Sequence, residues 1–123
     1  MAVRGIRGAI TVNDDQPREI LEATSELLGE IIAQNELDSE DIVSIIFTVT
    51  PDIKSTFPAQ AARAMGLHLV PLLGSQEIGV KGAIARCIRV LLHVNTNKTQ
   101  AEIYHCFMRD ASKLREDLNR AID

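Results

Sequence analysis

At 123 residues the chain is sized for one domain that buries roughly two-thirds of its unfolded surface, and 46% hydrophobic with 24% charged residues excludes a disordered tail. Thirteen basic against seventeen acidic residues leave a net charge of -4, so no global basic field gathers nucleic acid and any anion site must be local. No apolar run approaches the ~20 residues of a membrane span, and the opening MAVRGIRG lacks the apolar core of a secretory signal, so the expectation is a cytoplasmic protein without a membrane partner.

In chain order, Ala2 to Val12 mixes β-branched residues with Gly5 and Gly8 and predicts a strand in which two positions lack side chains, leaving room for a close approach. Asn13, Asp14 and Asp15 are suitable helix caps. Pro17 follows as an early-helix signal, and Ile20, Leu21, Leu27, Leu28, Ile31 and Ile32 form a helical stripe that ends at Asn35. After the polar turn Asp38 to Asp41, the continuous apolar run from Ile42 to Val49 predicts a strand buried on both faces, stopped by Pro51. Pro58 opens a short helix through Arg63, and Gly66 closes it.

His68 to Leu73 predicts a brief strand, and Gly74 to Gly82 a polar loop containing Gln76 and Glu77. A long strand is expected from Ala83 to Val94, a turn at Asn95, Thr96 and Asn97, and a last strand near Glu102 to Met108. The charged tail from Arg109 is expected to be partly helical. With no repeat, linker or low-complexity tract, the expectation is one α+β domain over residues 1–123, flexible from about 116, built on a mixed β-sheet with helices packed on one face. Strands outnumber the helices that could cover them, which leaves the other face for further subunits.

Few residues look chemical. Cys87 and Cys106 each sit in an apolar stretch without metal-ligand spacing and read as buried thiols, while His68, His93 and His105 are scattered singly. Arg89, in CIRVLLHV, places a permanent charge in mid-strand on the face of Cys87 and Leu91. Such a charge is either paired structurally, solvated, or reserved for an anionic ligand. Arg7, in RGIRGA, offers a fork of five donors beside glycines, with Arg4 on the opposite face by alternation, and its alternative is an exposed strand residue. Glu77 is a loop carboxylate that could equally be a surface acid. No GxGxxG, P-loop, metal-binding or nucleophile-elbow pattern is present. These residues suggest an anion site without specifying a reaction.

RGIRGAITV, TPD, FPAQAAR, VP then QE, CIRV and LREDL, in that order over almost the whole chain, resemble the small trimeric class of chorismate mutase. The resemblance implies a trimeric pseudo-α/β barrel that rearranges chorismate to prephenate without a cofactor, with active sites at subunit interfaces. It implies that Arg7, Glu77 and Arg89 bind substrate from one subunit, while Phe57 and Arg63 reach in from its neighbour. Leu73, Gly74, Ser75 and Gln76 match the substrate-contacting loop, Phe107 a substrate contact, and Leu114 and Arg115 the tail that closes the pocket mouth. Gly74 stands where the family often has cysteine and Phe107 where it often has tyrosine, which removes a side chain and a phenolic donor. The alternative is a non-catalytic or deaminase-like trimer that binds small carboxylate metabolites.

Overall fold

The computed structural model describes residues 1–114. The expected order of elements is observed: β1 (Ala2–Thr11), α1 (Pro17–Gln34), β2 (Ile42–Val49), α2 (Ala59–Ala64), β3 (Leu72–Gln76), β4 (Cys87–Thr96) and β5 (Cys106–Met108), with short 3-10 turns between them. They form one mixed sheet in the order β3-β2-β4-β1-β5. Central β4 runs antiparallel to both β1 and β2, whereas β3 pairs parallel to β2 and β5 parallel to β1.

Alternation divides the sheet into unlike faces. Ile6 and Ile10 of β1, Ile45 and Phe47 of β2, and Ile88, Val90, Leu92 and Val94 of β4 are all buried against Ile20, Leu27, Leu28 and Ile31 of α1 and Ala62 of α2. Both helices therefore cover one face. On the other, Ile46 and Leu91 are half-buried, and Val43 and Leu73 are exposed. β2 is thus buried on one face only within the protomer, although its sequence reads as apolar on both.

Gly8 explains part of the packing. A Cβ there would lie 2.7 Å from Ile31 Cδ1, 3.1 Å from Val90 Cγ2 and 3.2 Å from the Cys106 carbonyl, so the missing side chain lets α1 press on β1. The close approach expected from the glycines is made by this helix. Only Gly5 shares a face with Arg7.

Several boundaries move for identifiable reasons. Glu19 accepts from the Asn13 and Asp14 N–H groups, and Gln16 stands at the N-cap without a side-chain bond. Asp15, instead of capping α1, accepts from Lys54 and Ser55 N–H and ties down the loop before α2. β3 begins later than expected and takes in Gly74, Ser75 and Gln76, because parallel pairing with Phe47, Thr48 and Val49 outweighs their weak strand preference. β4 begins at Cys87, four residues late. Gly82 (φ 85) and Arg86 (φ 46) are left-handed just before it, and the Asp52 carboxylate holds the Arg86 N–H.

β5 has only three residues because side chains take the places of its missing neighbours. Asn35 accepts from the Tyr104 N–H and donates to the Tyr104 carbonyl, Gln100 bonds both the N–H and the carbonyl of Gly5, and His105 Nδ1 accepts from the Arg7 N–H at 2.9 Å. The Gly5 N–H and carbonyl and the Arg7 N–H on this side of β1 are thereby paired without further strand.

Candidate active site

The open face carries its polar groups where β1, β2 and β4 lie side by side. Ala9 and Thr48 flank Arg89 in register, and Arg7 pairs with Leu91 two positions further along β4. Glu77 follows directly on β3, its N–H bonded to the Val49 carbonyl at 2.8 Å. Arg7, Thr48, Glu77 and Arg89, with Ile46, Val90 and Leu91, line a hollow of about 330 Å³.

Within it, Arg89 Nε lies 3.4 Å from Glu77 Oε1, and both side chains keep less than a third of their exposure. The contact is an ion pair by distance but not a hydrogen bond by direction. Arg89 Nε is the one buried side-chain nitrogen or oxygen among the described residues that lacks a hydrogen-bond partner. A donor withdrawn from water and left unmatched destabilises the fold by about 1–3 kcal/mol. None of the described residues supplies its acceptor. Thr48 Oγ1 meanwhile donates to Glu77 Oε1 at 2.6 Å, fixing one carboxylate oxygen.

Cys87 shares the Arg89 face. Burial pushes its thiol up to about 11, and the opposing pull of the Arg89 charge is too small to prevent it. Near neutral pH it is a protonated packing residue. With Ala9, Phe107 and Ala111 it forms a small second cluster, against which Ile84 and Leu114 pack. Cys106 is likewise buried, with its thiol pushed up to about 11 by burial.

A larger hollow of about 490 Å³ opens on the helix-bearing side, lined by Phe47, Val49 and Leu72 from the core face and by Lys54, Phe57, Arg63, Gly74 and Ser75. Phe57 is 71% exposed although it is a large aromatic residue. The expected site residues therefore fall into groups. Arg7, Glu77 and Arg89 come together on the open face, while Phe57, Arg63 and Gly74 gather on the opposite one, whose hollow Ser75 borders from the β3 edge although it stands in register with Thr48 of the open face. Leu73 points with Ile46 to the open face, and Gln76 ends β3 in solvent. Leu73 through Gln76 form an edge strand instead of the expected loop. Phe107 and Leu114 belong to the small cluster beside Arg89, and Arg115 lies outside the described residues.

Two supporting residues escaped the sequence. Thr48 is the polar residue in IIFTV, and its alternation with Ile46 could have marked it. His105 carried no comparable signal, because its bond to Arg7 depends on β5 pairing with β1 across the chain.

The fold and these hollows define an α+β protein whose guanidinium and carboxylate groups line a hollow on the uncovered side of a mixed sheet. A family model described as chorismate mutase type I matches residues 3–118, and the chain belongs to that family. It is 49% identical over 120 residues to the chorismate mutase AroH of Thermus thermophilus, covering 97% of this chain and 98% of the relative. Against the chorismate mutase AroH of Bacillus subtilis (strain 168) the identity is 42% over 120 residues, covering 97% and 94%. A solved chorismate mutase from Clostridium thermocellum superposes with a TM-score of 0.88 at 46% identity, over 89% of this chain and 98% of that one.

Proposed function

We propose that this protein converts chorismate to prephenate, in the biosynthesis of aromatic amino acids, at a site led by Arg89. The unmatched Arg89 Nε beside the Glu77 carboxylate carries this reading, together with membership of the family. The rearrangement breaks a carbon–oxygen bond while a carbon–carbon bond forms, with no proton removed and no covalent intermediate. A protonated Cys87 and histidines engaged in strand contacts are compatible with that chemistry.

The site selects the compact substrate conformer and stabilises the charge of its transition state. Arg7 binds a substrate carboxylate, helped at the mouth by Arg63 and Arg115. Glu77 accepts from the ring hydroxyl, and its charge favours the ring as it becomes relatively positive. Negative charge grows on the ether oxygen as its bond lengthens, and Arg89 stabilises it there. Phe57 supplies an apolar wall, Leu73, Gly74, Ser75, Gln76 and Phe107 contact the substrate, and Leu114 and Arg115 help close the pocket mouth.

Phe57 and Arg63 lie across the sheet from Arg89, so one protomer cannot bring both groups to one substrate. The complete site joins two protomers of a cytoplasmic homotrimer, each chain a single domain. Purified protein mixed with chorismate, followed by loss of substrate absorbance and by prephenate formation, tests the activity. Turnover is expected, and binding without turnover would leave only a carboxylate-binding module. Exhaustive chelator treatment should leave the rate unchanged, and a loss that added metal reverses would point to other chemistry.

A further inference from the structure

None of the proposed substrate contacts uses Thr48, yet its hydroxyl makes a short polar contact in the hollow, 2.6 Å to Glu77 Oε1. Thr48 stands between Arg89 on β4 and Ser75 on β3, just beside the point where the chain leaves β3 for Glu77. Its β-branched side chain is stiff at χ1, whereas a glutamate has three torsions to fix. The oxygen that Thr48 holds is also the one 3.4 Å from Arg89 Nε, where the approach is too misaligned for a hydrogen bond. A carboxylate and a guanidinium this close ordinarily settle into a fork of two parallel bonds. Here they have not.

Building on the proposed activity, we infer that Thr48 is a positioning residue that holds Glu77 short of a forked pair with Arg89. By fixing Oε1, the hydroxyl leaves Arg89 Nε for the substrate's ether oxygen and the second Glu77 oxygen for its ring hydroxyl. Without that bond the carboxylate swings onto the guanidinium and neutralises the cation the reaction needs.

Thr48→Val keeps the side-chain shape and the strand preference while removing the donor, and Thr48→Ser keeps the donor. In steady-state chorismate assays on the intact protein, Thr48→Val should lower kcat by about tenfold to a hundredfold, the range for losing a hydrogen bond to a charged group, with a smaller change in KM. Thr48→Ser should recover most of that loss. In a Glu77→Ala background, Thr48→Val should cost nothing further, since no carboxylate remains to be held. Equal losses in the Val and Ser variants, or an additive loss in the Glu77→Ala background, would overturn the inference while the proposed activity stands. Near-normal kcat in Thr48→Val when Glu77→Ala is impaired would do the same. If Glu77→Ala itself keeps a near-normal kcat, both the role of Glu77 and that of Thr48 fall.

Discussion

Arg89 combines two properties that ordinary strand residues do not share, a permanent charge and a buried donor with no hydrogen-bond partner among the described residues. Arg89→Lys keeps the charge but shortens the reach and removes the planar fork. For a residue that stabilises the breaking bond, kcat at saturating chorismate should fall on the order of 10² or more, the scale for removing a preorganised donor. A raised KM with near-normal kcat would make it a ground-state binder. Phe107 permits a milder test, because Phe107→Tyr restores the hydroxyl often found at this position in the family. Since the ring packs against Ala9, Cys87 and Ala111, the folded site should survive, and KM should fall by no more than about tenfold, the worth of one hydrogen bond. A large loss of kcat would show that the pocket closes on the phenyl ring.

Among the elements, β1 and α1 are joined most tightly at Gly8. Gly8→Ala must displace Ile31, Val90 or the Cys106 carbonyl, and thermal unfolding should show a loss of about 1–3 kcal/mol, the usual effect of overpacking. The start of β4 depends on Asp52. Partial desolvation raises its carboxyl, but the Thr50 hydroxyl and the Arg86 N–H outweigh this and hold it below the ordinary value of 3.8. A carboxyl depressed by folding contributes stability above its unfolded pKa, and that contribution disappears as pH falls through the folded value. The stability advantage over Asp52→Asn should therefore be complete well above pH 3.8 and shrink below it. Chemical denaturation at several pH values would measure this, and a pH-independent difference would mean that Asp52 acts by shape alone.

For the whole molecule, the decisive fact is that the two hollows occupy opposite faces of one sheet. Phe57, 71% exposed, and the apolar residues Ile46, Leu73 and Leu91 on the open face fit a protein whose site is completed by a second copy. Sedimentation should give a trimer. Arg7→Ala and Arg63→Ala chains should each be impaired, yet co-expressed at equal levels they should regain about a quarter of the wild-type activity. In a closed ring, half the sites receive an intact Arg7 and half of those an intact Arg63 from the neighbour. A fully active monomer, or no recovery on mixing, would refute the shared site.

The sequence by itself determined the element order and the apolar stripe of α1, and it marked Arg89 as a charge out of place in its strand. Each rests on local chemistry: the period of apolar residues in α1, Pro17 and Pro58 at helix starts, and alternation that separates Arg89 from Ile88 and Val90. The ordered motifs placed Arg7, Glu77 and Arg89 by resemblance, before any contact among them was visible. Tertiary structure decided what local pattern could not. β3 extends through Gly74 and Ser75 because β2 lies alongside, β4 waits for Asp52 to catch Arg86, and Asp15 serves a distant loop instead of its own helix. Thr48 met Glu77, and His105 met Arg7, only when segments far apart in sequence came into register, since a hydrogen bond depends on distance and direction in space while sequence specifies only order along the chain.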